Sequence, residues 1–164
     1  MQLRKSNHTG ESMKRLKNRW LLSMMMLGAS SLVHATNGDA DIRALIAQYQ
    51  QALNQQDTNR IMSLYDDDAV FMAQHAPANV GKNVIRKAYG HVFNTIKLDV
   101  TFTVHDIDVQ GDTAWARTSS AGKTTIVATN ATVVEGNNEL FIFKRNQGLW
   151  KIHQYLFATN QPRN

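Results

Sequence analysis

Between residues 42 and 96 apolar side chains recur every three or four positions, and from residue 97 onward they recur every second position. The chain therefore reads as helices first and sheet afterwards. Asn37-Gly38-Asp39-Ala40-Asp41 forms a turn with two candidate caps, and Ile42, Leu45, Ile46, Tyr49 and Leu53 then mark one amphipathic helix of about four turns up to Asn54. Gln55 to Thr58 is a short break in which Asp57 or Thr58 caps a second, shorter helix carrying Ile61, Leu64 and Tyr65 on one face. The acidic run Asp66 to Asp68 interrupts that pattern. It is expected to end the helix and solvate a turn, with one carboxylate bonding nearby backbone, before a buried strand over Ala69 to Ala73. Gln74 to Gly81 reads as a loop by its Pro77 and Gly81. A third helix follows from about Asn83, with Val84, Ile85, Ala88, Tyr89, Val92, Phe93 and Ile96 as a broad apolar face that Gly90 weakens.

In the second half Leu98, Val100, Phe102 and Val104 share one parity, whereas Ile107 and Val109 share the other. A bulge or bend near His105-Asp106 is the economical explanation, and it lets a long strand curl. Gly111-Asp112 turns the chain, and Thr113 to about Val127 gives a strand containing Trp115 with a possible break at Gly122-Lys123. Asn130 to Asn138 reads as a polar connection. Glu139 to Lys144 and Leu149 to Phe157 flank the hairpin signal Asn146-Gln147-Gly148. Leu140 to Phe143 is apolar at both parities, which places that strand in the middle of a sheet covered on both faces. Three helices followed by a curved antiparallel sheet make an α+β fold with the helices on one face. A curled sheet closed by helices leaves a conical cavity, the natural place for a ligand.

Charge changes the picture less than its total implies. The formal net charge is +5, but residues 1–35 hold six of the 18 cations and one of the 13 acids, leaving twelve of each in residues 36–164. The body of the protein is neutral, so the basic balance gives no support for a nucleic-acid partner. The leader instead has secretory grammar: a basic segment from Lys14 to Arg19, an apolar run from Trp20 to Val33, and Val33-His34-Ala35 as a small-residue cleavage site. Residues 1–35 are read as a signal peptide, with Met13 as an alternative start and residues 36–164 as the mature domain. The apolar run is shorter than the roughly 20 residues a bilayer span requires, so no stable membrane anchor is expected. The sequence has no cysteine, which removes disulfides, thiol chemistry and lipid attachment through a processed cysteine. A bacterial periplasm or the medium is the expected address.

Several segments carry a resemblance: Tyr49 to Asn54 with Asp57, Leu64 to Met72, Val80-Gly81-Lys82 with Ile85, Gly111 to Trp115, Glu139 to Phe143, and Gly148 to Ile152. In this order the chain resembles the SnoaL-like and DUF4440 branch of the nuclear transport factor 2-like superfamily, especially its SgcJ/EcaC-like group. The resemblance implies a cone-shaped, cystatin-like fold over residues 40–158. It implies little about the reaction, because that superfamily includes isomerases, cyclases, dehydratases and association domains. Laid on the ketosteroid isomerase of the same superfamily, Tyr49 falls at the hydrogen-bonding tyrosine and Glu139 near the neutral acid, while Ala73 falls where the general base belongs. A methyl group takes no proton, so steroid-type isomerisation by that route is not expected.

Tyr49 and Glu139 are accordingly the candidate catalytic residues, as hydrogen-bond donors to a developing oxyanion. Phe71, Gln74, His75, Trp115 and His153 are the candidate ligand-lining residues, His153 only if its strand parity faces the cavity. The bland alternatives are a core tyrosine with a satisfied hydroxyl, and a Glu139 paired with Arg117, Lys123 or Lys144 across the sheet. Asp66-Asp67-Asp68 lacks the spacing of a calcium loop, and no His-x-x-x-His or His-x-Glu element accompanies it, so no metal is expected. No nucleotide-binding signature occurs and no cofactor is expected. Two readings remain: a pocket for a small apolar or amphipathic molecule, with acid/base chemistry on it, or a non-catalytic module whose open sheet face forms a homodimer or docks a partner.

Overall fold

The computed structural model describes residues 38–161, so the leader and its cleavage point lie outside the described residues. Helix α1 spans Gly38–Asn54, α2 Thr58–Leu64 and α3 Lys82–Thr95. The strands are β1 Tyr65–Met72, β2 Asn79–Val80, β3 Ile96–Gln110, β4 Thr113–Ile126, β5 Thr132–Asn146 and β6 Leu149–Thr159. The expected α+β architecture is what the chain adopts, three helices on a curved, unclosed six-stranded sheet of order β2-β1-β6-β5-β4-β3.

One part of that expectation is corrected. The sheet is mixed, because β1 runs parallel to β6 while every other pair is antiparallel. Helix α3 and three long strands separate β1 from β6 in sequence, and a connection of that length permits parallel pairing where a tight turn does not.

Local chemistry places the helices as expected. Asp57 caps α2 by accepting the Arg60 N–H at 2.9 Å, satisfying one of the free donors of a helix start. Ile42, Ile46, Ile61, Met62 and Ile85 from the three helices meet Phe141, Phe143 and Ile152 of the sheet, all of them fully buried. Each such side chain contributes about 1.5–3 kcal/mol relative to exposure. Helix α1 also does the work of a missing strand. Gln50 Oε1 accepts the Phe102 N–H at 2.7 Å, and Asn54 bonds both the N–H and the C=O of Val100 at 3.0 and 2.9 Å, so the free edge of β3 is blunted by side chains.

Three boundaries differ from the sequence reading. Asp66 to Asp68 lie inside β1 instead of a turn, although Asp66 does bond backbone, accepting the Asp67 N–H at 2.7 Å. Asn79–Val80, expected as loop, pair with β1. Residues 132–138 are strand and not a polar connection, because β4 is long enough to pair with them through Ser119↔Asn138 and Thr125↔Thr132. Pairing supplied by a neighbour outweighs weak local propensity. The Gly122 interruption does not occur, and β4 runs through it. The hairpin signal is realised as a two-residue turn in which Gln147 and Gly148 both have positive φ, 50° and 81°, the backbone of a type I′ turn. The parity change at His105 is a register shift between Val104 and Asp106.

Candidate functional site

The sequence contains four tyrosines, and the fold brings all four into one buried cluster. Tyr49 comes from α1, Tyr65 from the first residue of β1, Tyr89 from α3 and Tyr155 from β6, each 3% exposed or less. Their hydroxyls form a chain: Tyr65 to Tyr89 at 3.0 Å, and Tyr89 to Tyr49 at 2.6 Å. Around it the rings stack, Tyr155 on Phe141 at 4.2 Å between centroids and Phe71 between Tyr89 and Tyr155 at 5.2 and 5.6 Å. Burial raises the ionisation of all four phenols well above its ordinary range, so at neutral pH they are neutral hydrogen-bonding groups.

Glu139 sits beside this cluster in the inner face of β5 and is 5% exposed. It is not ion-paired: Arg117, one of its expected partners, bonds Asp106 instead. The carboxyl accepts the Ser120 hydroxyl at 2.6 Å and the Thr118 hydroxyl at 3.0 Å, both from β4, while Asn137 Nδ2 donates to Ser120 Oγ at 3.2 Å. Removal from water pushes the Glu139 pKa up from 4.5 to about 7, with the hydroxyls of Ser120, Thr118 and Tyr155 pulling the other way. Tyr155 packs edge-on against Tyr49, with ring centroids 5.4 Å apart, and so stands between the carboxyl and the tyrosine chain.

These groups line a cavity of about 150 Å³. Tyr49, Tyr89, Tyr155, Ser120, Asn137 and Glu139 supply its polar wall, and Phe71, Leu98, Phe102 and Phe157 much of its apolar one. Ala73 is part of the lining too, so the methyl group stands at the cavity as the sequence comparison implies. The arrangement offers a carboxyl that exchanges a proton near neutral pH beside neutral donors in a largely aromatic space.

Tyr49, Glu139 and Phe71 thus converge on one cavity, whereas the other candidates do not line it. Trp115 lies on the opposite face of β4, where Ala114 and Ala116 take the inner positions and Trp115 is 39% exposed. Gln74 accepts the Thr159 N–H at the end of β6. His75 occupies an exposed turn at φ 59°. His153 is displaced by a register shift between Ile142 and Phe143, which face Gln154 and Ile152 respectively and leave it without a partner on β5. Simple alternation would have put His153 with Tyr155; the bulge sends Tyr155 inward and His153 to Asp66 and Asp68 of β1. Its Nδ1 lies 3.3 Å from Asp66 Oδ2 and 3.5 Å from Asp68 Oδ1. Among the described residues this is the group whose side chains could hold a metal ion, with all ligand atoms within 4.8 Å of one another.

Sequence reasoning missed Tyr65, Tyr89, Tyr155, Ser120, Thr118 and Asn137. A signal existed for the tyrosines, since each sits on an apolar helix face or strand beside other aromatics. Nothing marked the small hydroxyls, which matter only through the β4–β5 register that sets Thr118 opposite Glu139.

Comparison with known proteins agrees with the fold. Residues 46–153 match the family model of the SnoaL-like domain. A ketosteroid isomerase-like protein from Erwinia carotovora atroseptica SCRI1043 is 28% identical, with a TM-score of 0.74 over 77% of this chain and 99% of that one. A conserved protein from Planctomyces limnophilus DSM 3776 is 22% identical, with a TM-score of 0.68 over 74% and 97% of the two chains. A hexachlorocyclohexane dehydrochlorinase shares the fold at 15% identity, with a TM-score of 0.66 over 76% and 86%. No curated protein matches the sequence.

Proposed function

Because the chain belongs to the SnoaL-like domain family, we propose that its cavity binds a small apolar or amphipathic molecule and performs cofactor-independent acid/base chemistry of the isomerase or dehydratase type. The observation that carries this reading is Glu139, a buried carboxyl whose pKa is raised to about 7 at the wall of an aromatic cavity. Below that pH it donates a hydrogen bond to oxygen on the ligand, and above it the same group accepts a proton. Tyr49, hydrogen-bonded to Tyr89, is the neutral donor that stabilises negative charge developing on that oxygen. No proton is routed through Ala73.

Size narrows the ligand. A cavity of about 150 Å³ matches dry cavities that hold one benzene-sized ring, so the ligand is a single-ring or comparably small molecule, not a fused four-ring skeleton. We further read residues 1–35 as a signal peptide that sends the protein to the periplasm or the medium, a reading supported by the basic segment, apolar run and Val33-His34-Ala35 site.

A second reading is favoured by one observation. The outer sheet face carries Trp115 beside Ile142, and Leu140 beside Leu156, with Trp115 and Leu156 each 39% exposed. Such a stripe suits a homodimer through the sheet.

Native mass spectrometry of the protein recovered from its own compartment tests these readings together. The expected result is a chain lacking residues 1–35, with a retained small molecule and a dimer mass. A full-length chain refutes export, and a monomer refutes the dimer. With the recovered ligand as substrate, Tyr49→Phe and Glu139→Gln should lose turnover while staying folded; unchanged turnover in both rejects the assignment.

A further inference from the structure

Asp66, Asp68 and His153 lie outside the cavity lining and play no part in the chemistry above. Two irregularities of the sheet lie beside them. The β1–β6 register shifts between Tyr65 and Val70, and the β5–β6 register shifts beside His153. The meeting is between the first strand of the domain and the last, so no local spacing in the sequence announces it.

The geometry inside the cluster is informative. His153 Nδ1 is shut off from solvent and makes no hydrogen bond, although two carboxylate oxygens stand 3.3 and 3.5 Å away. A plain Asp–His pair would draw the nitrogen onto one oxygen at about 2.7–2.9 Å with its N–H aligned. Here the nitrogen is held between two oxygens and aligned with neither. That is the arrangement of atoms that converge on a common centre. With Zn–N and Zn–O bonds of about 2.0–2.2 Å, a tetrahedral ion separates neighbouring ligand atoms by roughly 3.3–3.5 Å; the two nitrogen–oxygen separations fall in that interval, and all three ligand atoms lie within 4.8 Å of one another.

We propose that Asp66, Asp68 and His153 form a binding site for one divalent transition-metal ion of the Zn²⁺ type. Two carboxylates and one imidazole, with no thiolate, suit a borderline cation and disfavour Mg²⁺, which prefers oxygen ligands and retained water. The two negative charges neutralise the ion. The Asp66 and His153 side chains are each 14% exposed and the Asp68 side chain 76% exposed, so the ion enters from the Asp68 side and keeps its fourth position toward solvent. An ion there would tie β1 to β6 across the stretch where their register is broken.

The test is calorimetric titration of the metal-free full chain with ZnCl₂, with MgCl₂ as control, followed by the visible spectrum after Co²⁺ replacement. Expected are one Zn²⁺ per chain, no Mg²⁺ binding at the same concentrations, and the intense absorption of four-coordinate cobalt. Asp68→Asn and His153→Gln should each weaken Zn²⁺ by at least about tenfold. Asp68 is exposed, so its variant keeps the fold and remains decisive if His153→Gln does not fold. Absence of Zn²⁺ binding, or binding undiminished in Asp68→Asn, overturns the proposal.

Discussion

Glu139 concentrates the tension between stability and chemistry in a single residue. Its pKa rises from 4.5 to about 7 because burial penalises the charged form. Between those values the folded chain holds a proton that the unfolded chain has released, so stability must fall as pH rises through the interval. At 1.36 kcal/mol per pKa unit the loss amounts to about 3 kcal/mol, complete above pH 7. Urea denaturation from pH 4.5 to 8 should show that decline, and Glu139→Gln should abolish it and leave the variant the more stable protein at pH 8. The tyrosine chain gives a second expectation. Tyr89 bonds two hydroxyls and Tyr65 only one. Tyr89→Phe strands the buried hydroxyls of Tyr49 and Tyr65 and should cost about 1–3 kcal/mol, whereas Tyr65→Phe leaves Tyr89 paired with Tyr49 and should cost less. The same denaturation experiment separates the two. Legibility at this scale was uneven. Tyr49 was readable through the family resemblance, which sets it at the hydrogen-bonding tyrosine, and Glu139 through the same resemblance and because an acid opening an apolar strand needs an explanation. Ser120 and Thr118 were not, because a hydroxyl becomes a partner only when strand register is known.

At the scale of elements, periodicity located every helix and every long strand among the described residues, and it failed where pairing overrides local preference. The bulge at His105 was visible as a change of parity within one strand. The bulge at His153 was not, because Trp150, Ile152 and Tyr155 straddle it and either parity could be called apolar. That one irregularity sent His153 away from the cavity and toward β1. Gly122 presents the opposite case, since in sequence it looked like a break and in the sheet it is a contact. A Cβ there would lie 2.1 Å from the Asp99 carbonyl oxygen and 2.7 Å from the Val100 Cα, both backbone atoms of β3. Gly122→Ala must therefore push two strands apart and is expected to cost about 3 kcal/mol, the upper end for overpacking. A drop in denaturation midpoint with unchanged slope would bear this out; an unaltered midpoint would mean the strands yield freely.

For the molecule as a whole, fold and function separate cleanly. Helices that close one side of a curved sheet create a cavity whatever the family member does with it, and that architecture was legible from hydrophobic spacing alone. In this chain the cavity is furnished with a methyl group at Ala73, three neutral phenols, and one carboxyl held near neutrality. The central claim is that this carboxyl and this cavity act together. Its most direct test is the titration of the Glu139 side-chain carboxyl by NMR in ¹³C-Glu-labelled protein, with and without phenol as a one-ring probe. The prediction is a midpoint near pH 7 that moves when phenol is added, and that disappears in Glu139→Gln. A midpoint near the ordinary 4.5, or one that phenol leaves in place, would contradict it.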